Sequence, residues 1–300
     1  MKILILGKNG QVGWELNRSM LPLGDIIALD YPDIDYSHPD TLRNLIREIK
    51  PGIIANAAAY TAVDKAEDEE QLAYVVNADA PAVIAAEAKK QDSILIHYST
   101  DYVFDGMKKE PYTETDEPNP LNAYGRTKLA GDLAIQASGC KHFIFRTSWV
   151  YGARGQNFLL TMMRLAKERK ELKIVDDQVG SPTWSRLIAE ITSITIAKTV
   201  LLEKQNVEPY GLYNLTASGS TSWCGFAKAI FNEAMAQKLM PVETLPTVTP
   251  IPSDAYLTKA MRPKYSLLAN SKINKLLDVH IPSWEQCLKL GMAEIKRSFT

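Results

Sequence analysis

Residues 2–13 read KILILGKNGQVG, an apolar run that leads directly into a loop with three glycines. An uninterrupted apolar run is typical of a strand that is buried on both faces of a parallel sheet. Val12, Trp14 and Leu16 then begin a helical pattern that ends before Pro22. Glycines between such a strand and helix permit a tight turn and let the backbone approach a pyrophosphate. The GxxGxxG pattern in this position therefore favours a dinucleotide site, formed by Gly7, Gly10 and Gly13, over an ordinary turn.

A second predicted strand, 26–29, ends in an acidic residue, Asp30. An acidic residue roughly 20 positions after the glycine loop commonly binds the adenosine ribose hydroxyls and disfavours a 2′-phosphate. Asp30 therefore favours NADH, although one basic side chain nearby in space would reverse that preference. Asp35 lies further on, where it could contact the adenine or cap the turn at Ser37.

A second motif, Tyr124-Gly125-Arg126-Thr127-Lys128, places a tyrosine and a lysine four residues apart. Residues i and i+4 share one face of a helix, so both side chains can point into the same cleft. A nearby ammonium lowers the pKa of a phenol, which is ordinarily about 10. We therefore expect Tyr124 to act as a general acid or base beside Lys128. The spacing alone also fits a solvated helix face, so the prediction depends on the preceding strand.

That strand, 94–98, leads into the polar residues Ser99-Thr100-Asp101. The carboxyl ends of parallel strands line the ligand crevice of an open α/β sheet. Thr100 can therefore donate a hydrogen bond to a substrate oxygen next to Tyr124. With the glycine loop, these residues predict hydride transfer to or from a carbonyl group.

Apolar runs and helical patterns alternate through the first half of the chain. The predicted strands are 2–6, 26–29, 53–56, 94–99 and 143–147, and the predicted helices are 11–20, 40–49, 69–90 and 122–138. This alternation predicts an α/β fold with a Rossmann-type doubly wound parallel sheet and helices on both faces. The third strand leads into Ala57, Ala58 and Ala59, whose small side chains allow close approach of a cofactor or tight packing at the corner.

The pattern loosens after about residue 150. Helices are predicted at 158–169, 184–200, 223–238 and 283–298, and a cluster of prolines predicts a loop over 241–265. We therefore expect an NAD(P)-binding Rossmann domain at 1–150. A smaller mixed lobe at 151–300 would mainly bind substrate and would be interleaved with the first domain.

Composition excludes several classes of function. The 300 residues are 46% hydrophobic and 23% charged, which is typical of a globular protein with an ample core. A formal net charge of −1 provides no overall field that would attract nucleic acid or an anionic membrane. We expect neither a membrane span nor a signal peptide. Three widely spaced cysteines predict reduced thiols in a cytoplasmic protein. The four histidines show no metal-ligand spacing, so each histidine is better explained by a core or surface role.

The motifs together match a known family. They lie at 7–13, 56–67, 97–104, 120–131 and 146–151, with Asn77 between them and Arg262-Pro263, Ser266 and Leu268 late in the chain. This set resembles the extended short-chain dehydrogenase/reductase superfamily and, more narrowly, its dTDP-4-dehydrorhamnose reductase family, over nearly the whole chain.

The resemblance implies reduction of the 4-keto group of dTDP-4-dehydro-6-deoxy-L-mannose to dTDP-L-rhamnose, with NADPH or NADH as the donor. It implies that Thr100, Tyr124 and Lys128 are catalytic, with Lys128 also on the nicotinamide ribose. It implies cofactor contacts from Gly10, Gln11, Val12, Asp30, Asp35, Tyr36, Ala59, Tyr60 and Thr61. The sugar nucleotide would be bound by Thr100, Asp101 and Trp149.

Two residues have alternative interpretations. Trp149 follows a strand and offers an aromatic face to a sugar, or it is a core tryptophan at the seam between the two parts. Arg262 has the fork geometry that suits the oxygens of a diphosphate, or it is a surface arginine beside a proline turn.

Some members of the family are magnesium-dependent dimers with glutamate ligands from separate segments. Glu15 and Glu294 fit that arrangement, but the region around Pro182-Thr183 offers Arg186 where another carboxylate is expected. Magnesium is therefore doubtful, and we predict no metal ligand. The expected partner is a small-molecule sugar nucleotide, with a homodimer possible and with no nucleic acid or membrane.

Other functions are weighed against the reductase. A nucleotide-sugar epimerase would keep its cofactor bound and need no added NAD(P)H. A 4,6-dehydratase needs a carboxylic acid soon after Thr100-Asp101, where this chain has Tyr102. A regulatory subunit of the methionine adenosyltransferase type would bind NADP(H) without turnover. The intact Thr100, Tyr124 and Lys128 favour an enzyme, because a binding subunit needs none of them.

Overall fold

A computed structural model describes the backbone of residues 1–299 and the side chains of residues 1–295. The strands are β1 (Lys2–Leu6), β2 (Asp25–Leu29), β3 (Ile53–Asn56), β4 (Ile94–Thr100), β5 (His142–Thr147), β6 (Val150–Tyr151), β7 (Glu171–Val175), β8 (Val179–Gly180), β9 (Thr183–Trp184), β10 (Gly211–Asn214), β11 (Thr221–Ser222) and β12 (Thr247–Ile251). Six of them form one parallel sheet in the order β10-β5-β4-β3-β1-β2. The predicted parallel sheet is confirmed.

Helices connect these strands. They are α1 (Gln11–Ser19), α2 (Pro39–Ile49), α3 (Val63–Ala66), α4 (Glu70–Tyr74), α5 (Ala80–Gln91), α6 (Ala123–Ser138), α7 (Phe158–Glu168), α8 (Ser185–Lys204), α9 (Trp223–Ala236), α10 (Ser271–Leu277) and α11 (Trp284–Phe299). Within the described residues, no helix combines the length and apolar character that a membrane crossing requires.

Both faces of the sheet are covered, as alternate residues of β1 show. Ile3 and Ile5 point into a core shared with α1 and α8, whereas Leu4 and Leu6 point into a second core shared with α2, α5 and α6. All four side chains are fully buried. Burying one such side chain contributes about 1.5–3 kcal/mol, so the continuous apolar run is what a two-faced strand requires.

The predicted helix 69–90 is present from Glu70 to Gln91, with a change of helical type inside it. The structure has α4, a π-helical turn at Val75–Asp79 and then α5. Asn77 lies in this turn, and its amide binds both backbone groups of Tyr60, at 2.9 Å and 3.1 Å, and the hydroxyl of Thr127 at 3.1 Å. A π turn inserts one residue into a helix and is common at functional sites. Here it orients an amide that ties the end of β3 to α6.

The predicted loop over 241–265 is also wrong in part, because it contains strand β12. β12 pairs in parallel with β7, and Pro250 lies opposite Ile174. A proline can occupy a strand position where a backbone N–H would point away from the partner strand. Each strand of this two-stranded sheet has such an outer side. The prolines therefore marked an edge strand and not only a loop.

The second half of the chain also contributes to the central sheet. β10 pairs with β5 from Gly211 opposite Phe143 to Asn214 opposite Arg146. The short strand was missed because its four residues begin with a glycine and include an asparagine, which breaks the apolar pattern.

Candidate active site

The site lies at the carboxyl edge of the sheet. Leu6 pairs with Asn56, Asn56 with His97, and Thr100 with Thr147, so the ends of β1, β3, β4 and β5 lie side by side. Ligands of open parallel sheets bind at this edge. The predicted glycine loop, Ala57–Ala59 segment and Thr100 are therefore brought together.

The glycine loop is built for close backbone contact. Gly7 has φ of +88°, and a Cβ there would lie 2.7 Å from the Ala58 nitrogen. A Cβ on Gly13 would lie 2.0 Å from the Gly7 oxygen, so α1 could not approach β1. Gly10 is the N-cap of α1 and provides no side-chain cap, which leaves the first-turn amides of Gln11 and Val12 for an anion. These features fit the pyrophosphate of a dinucleotide.

Asp30 closes the loop from the end of β2. Its carboxylate accepts from the backbone nitrogens of Asn9 at 2.9 Å and Tyr31 at 2.8 Å. Each carboxylate oxygen retains a second lone pair, so a ribose hydroxyl can still bind. Lys8 brings a positive charge to the same corner, with its Nζ 2.6 Å from Asp33. Asp30 therefore does not decide by itself between NADH and NADPH.

The neighbouring predicted cofactor residues are held differently. Asp35 binds the Ser37 backbone and hydroxyl at 2.9 Å and 2.6 Å, which is the capping role considered above. These bonds hold the pKa of Asp35 below its usual value. The Tyr36 hydroxyl lies 3.5 Å from the Leu29 oxygen, and burial raises the pKa of this phenol.

Gln11 and Tyr60 are fixed by other segments of the chain. The Gln11 amide donates to the Val150 oxygen at 3.3 Å and accepts from Asn157 at 2.8 Å. Asn77 holds the backbone of Tyr60, and Thr61 next to it is exposed. The loop after β3 is therefore rigid where the cofactor is expected.

Thr100 and Tyr124 meet at the end of β4. Burial raises the pKa of Tyr124 to about 12, and the neighbouring Thr100 hydroxyl offsets part of that effect. The expectation that Lys128 lowers this pKa is wrong for the protein without ligands, because burial outweighs any such effect. A raised pKa keeps the phenol protonated at neutral pH, which suits a proton donor.

Lys128 is buried below the sheet edge, with only 1% of its surface exposed. Its Nζ donates to the Tyr98 oxygen at 2.6 Å and lies 3.1 Å from Nε2 of His97. Nδ1 of His97 lies 3.2 Å from the amide nitrogen of Asn56. Burial lowers the pKa of Lys128 to about 8, and Asp132 one helical turn away counteracts part of that shift. Burial and the charge of Lys128 hold the pKa of His97 well below its usual value, so its imidazole is neutral.

A buried ion pair supports this helix. Asp132 accepts from the Ser99 hydroxyl at 2.8 Å and from Nε of Arg146 at 3.3 Å. Asp132 and Arg146 are 0% and 2% exposed. The pair joins α6 to β4 and β5 directly behind Lys128.

The predicted substrate residues Asp101 and Arg262 are both engaged within the protein. Asp101 accepts from the Thr100 hydroxyl at 3.2 Å, and burial raises its pKa to about 7. Arg262 forms a two-pronged contact with Asp64, at 3.2 Å and 2.8 Å. It also faces the Tyr102 phenol, whose ring packs edge-on against Tyr124 at 5.8 Å. Arg262 is thus neither a free surface arginine nor fully available to a diphosphate.

Trp149 is half-buried and has a left-handed backbone with φ of +47°. Its indole stacks on Trp223 with ring centroids 3.6 Å apart and packs against Gly180. A bulky residue in this conformation needs strong local contacts to hold it, and such strain clusters at functional sites. The two indoles therefore cover one face of each other, and the Trp149 ring also lies against Gly180 of β8.

The residues expected to hold magnesium do not fit a divalent cation. The Arg186 guanidinium lies between Glu15, at 3.2 Å from Nε, and Glu294, which pairs with Nη2. A bound cation would have to displace a positive charge of the chain itself. Among the residues with described positions, no group of three histidine, cysteine, aspartate or glutamate side chains could hold a metal.

His97, Asn56 and Asp132 were not predicted as site residues, and His97 was assigned a core or surface role. His97 interrupts the apolar run of β4 three residues before Thr100, and Asp132 lies one turn after Lys128 on the same helix face. A polar residue at a position that periodicity assigns to the core is the signal that could have identified them.

Known proteins resemble this chain over almost its full length. Residues 1–297 match the family model described as RmlD substrate binding domain. The curated dTDP-4-dehydrorhamnose reductase of Burkholderia thailandensis is 45% identical over 295 residues, which cover 98% of this chain and 99% of that protein. A solved dTDP-4-dehydrorhamnose reductase from Clostridium acetobutylicum has a TM-score of 0.88 and 38% identity, covering 99% of this chain and 100% of that one. The Bacillus anthracis enzyme in complex with NADP has a TM-score of 0.86 and 36% identity, covering 98% and 99%.

Proposed function

The chain belongs to the RmlD substrate binding domain family, and we propose that it is an NAD(P)H-dependent dTDP-4-dehydrorhamnose reductase. It reduces the 4-keto group of dTDP-4-dehydro-6-deoxy-L-mannose to give dTDP-L-rhamnose, a precursor of cell-surface polysaccharide. The observation that carries the proposal is the convergence of Thr100, Tyr124 and Lys128 beside the glycine loop, at the ligand edge of the sheet.

The cofactor site fits a dinucleotide. Gly7, Gly10 and Gly13 give the pyrophosphate close access to the backbone, and the start of α1 offers the amides of Gln11 and Val12. The adenosine half would contact Asp30, Asp35 and Tyr36, and the nicotinamide half would pass the segment Ala58, Ala59, Tyr60 and Thr61. Lys8 beside Asp33 offers a positive charge for a 2′-phosphate, which supports use of NADPH as well as NADH.

Bound NAD(P)H supplies the hydride to C4 of the sugar. Tyr124 then donates its proton to the carbonyl oxygen, on which negative charge develops, and Thr100 donates a hydrogen bond to the same oxygen. Proton donation by a positioned group typically contributes about 10²–10⁴ in rate. Lys128 keeps a positive charge beside Tyr124 and has one N–H left for the nicotinamide ribose after bonding Tyr98 and His97. Donors aimed at a developing oxyanion stabilise the transition state.

The remaining assignments follow from the same site. We infer that Asp101, Trp149 and Arg262 lie along the sugar-nucleotide path. We infer a division into a cofactor domain at 1–150 and a mainly substrate-binding lobe at 151–300, which would meet at this edge.

All three cysteines are free and buried, which supports a cytoplasmic location. A homodimer is part of the proposal.

The test is oxidation of NADPH and of NADH by freshly generated dTDP-4-dehydro-L-rhamnose, followed by absorbance and product analysis. We expect both cofactors to be consumed and dTDP-L-rhamnose to form. Conversion of a nucleotide sugar without added NAD(P)H would instead identify an epimerase. Cofactor binding without turnover would identify a regulatory subunit.

A further inference from the structure

We propose that His97 is a positioning residue that, held by Asn56, fixes the amino group of Lys128 for the reaction at Tyr124. This inference rests on the proposed function, in which Lys128 works beside the proton donor. Histidine in a core is usually a packing residue with satisfied hydrogen bonds. Here Nε2 of the imidazole contacts Lys128, the buried lysine of the proposed reaction. His97 therefore has a role beyond packing.

The geometry leaves Lys128 few other restraints. Asn56, His97 and Lys128 are 2%, 0% and 1% exposed, so water does not replace these contacts. Among the side chains and backbone groups that the structure describes, the Nζ atom has two hydrogen-bond partners, the Tyr98 oxygen at 2.6 Å and His97 Nε2 at 3.1 Å. The Tyr98 oxygen can orient one N–H group but cannot stop rotation of the amine about that bond. The imidazole supplies the second fixed direction, and the direction of the third N–H is then determined as well.

The imidazole also connects the charge of Lys128 to the orientation of Asn56. When Lys128 is an ammonium it can only donate, so Nε2 accepts, Nδ1 carries the proton, and Asn56 must present its oxygen. When Lys128 is an amine, Nε2–H donates to it and Nδ1 accepts from the Asn56 amide nitrogen. In that second arrangement the Asn56 oxygen accepts from the Ala58 nitrogen at 3.3 Å. The structure has this second arrangement, and the first requires the Asn56 amide to rotate and give up its bond from the Ala58 nitrogen. The charge on Lys128 is therefore coupled to one amide rotation.

That rotation reaches the cofactor loop. The Ala58 nitrogen lies against Gly7, where even a Cβ would come within 2.7 Å. The other charged groups facing Lys128 are Asp132 on its own helix and Arg146 of β5, which acts through Asp132. Neither contacts Asn56, so the His97 path is the one that links Lys128 to the loop after β3.

The direct test is ¹⁵N NMR of histidine-labelled protein across the pH range, without substrate. His97 is expected to stay neutral and to change from the Nδ1–H to the Nε2–H tautomer as Lys128 loses its proton near pH 8. In Lys128→Met the His97 signals should not change with pH. An ordinary histidine titration at His97, or a tautomer that ignores Lys128, would overturn the proposal.

Kinetics provide a second readout. His97→Leu removes the acceptor, and the loss of one hydrogen bond to a charged group corresponds to about tenfold to a hundredfold in rate. The loss should fall on kcat, with KM for the sugar nucleotide little changed, and the alkaline limb of the pH profile should move to lower pH. His97→Gln restores an acceptor and should restore both. The control is His142→Gln. His142 lies on the neighbouring strand β5, and its imidazole bonds the Cys140 oxygen at 2.9 Å.

The outcomes separate this inference from the proposed function. Wild-type protein that reduces no keto-sugar would contradict the proposed function, and the NMR step would still test the His97–Lys128 link. A folded His97→Leu protein with wild-type kcat and pH profile would contradict the positioning role alone. If His97→Leu does not fold, the Gln variant and the NMR experiment decide.

Arg186 lies in a separate cluster and supports a second inference. Its guanidinium joins Glu15 of α1 to Glu294 of α11, while Glu190 follows one turn later on α8. Burial raises the pKa of Glu190, and the charges of Glu15 and Glu294 raise it further, whereas Arg186 lowers it. The geometry points to Arg186 as an internal cation that takes the place of a divalent metal among these carboxylates.

Thermal unfolding with excess EDTA or with Mg²⁺ tests this role. The wild-type melting temperature should be the same in both. Arg186→Glu should melt lower in EDTA and recover with Mg²⁺, because four carboxylates would then converge. Arg186→Met should melt lower in both. A wild-type protein that Mg²⁺ stabilises, or an Arg186→Glu protein that Mg²⁺ does not, would overturn the inference.

Discussion

Replacing Tyr124 with phenylalanine removes the proton donor and changes little else. The phenol has a pKa of about 12, so at neutral pH it is a protonated acid. Its ring packs edge-on against Tyr102 at 5.8 Å and 79°, and phenylalanine preserves that contact. General acid catalysis contributes about 10²–10⁴ in rate, which corresponds to about 3–5 kcal/mol on the barrier. We therefore expect kcat to fall by about that factor while cofactor binding stays near normal.

The assay is loss of NADPH absorbance with dTDP-4-dehydro-L-rhamnose, together with fluorescence titration of NADPH. Tyr210→Phe is the matched control. Tyr210 comes directly before β10, at the end of that strand opposite the site, and its hydroxyl bonds Glu203 at 2.7 Å. A Tyr124→Phe protein with turnover within a few fold of the wild type would show that another group donates the proton. A variant that lost cofactor binding in proportion to turnover would show that Tyr124 mainly binds.

Three further perturbations have definite expected results. The kcat/KM for reduction should fall as pH rises through about 8, because Lys128 loses its charge there while Tyr124 stays protonated, and a profile flat to pH 9 would contradict this. Asp132→Asn leaves the Arg146 guanidinium buried without a carboxylate, so the free energy of unfolding, measured by urea denaturation, should fall by about 3–5 kcal/mol. Asp92→Asn, at an exposed ion pair, is the control and should have little effect. Gly13→Ala places a Cβ 2.0 Å from the Gly7 oxygen and should weaken NADPH binding by about tenfold or more, whereas Gly291→Ala, with its nearest atom 3.4 Å away on a side chain, should bind normally.

The central sheet could be predicted because its strands are buried on both faces. β1 and β3 are almost continuous apolar runs and β4 begins with one, and a helical pattern separates each of them from the next strand. The glycine loop could be placed for the same reason, since its strand and helix are both clear in the sequence. β10 and β12 could not be predicted, because their stability comes from pairing with β5 and β7 and not from local pattern.

The candidate site was predictable only where a motif has fixed spacing. Tyr124 and Lys128 are one helical turn apart, so their shared face follows from geometry. The partners of Lys128 are on β4, 30 and 31 positions away in the chain, and no local pattern links them. The pKa of Tyr124 depends on how deeply the cleft buries it, which a sequence does not state.

The roles of Trp149 and Arg262 also could not be decided from the sequence. Their residue types allowed a ligand role and a structural role, and the structure shows that each has intramolecular partners. Trp149 stacks on Trp223, 74 positions later, and Arg262 binds Asp64 across 198 positions. Only long-range packing reveals such partners.

Reduction with NADPH that carries deuterium on the transferring carbon tests the hydride-transfer mechanism most directly. Mass spectrometry and NMR of the product should find one deuterium at C4 of dTDP-L-rhamnose, with none exchanged into solvent. A Tyr124→Phe protein stopped at the same early time should form far less product, with the deuterium at the same carbon. Deuterium elsewhere on the sugar, or turnover that leaves the labelled cofactor unchanged, would contradict direct hydride transfer to the 4-keto carbon.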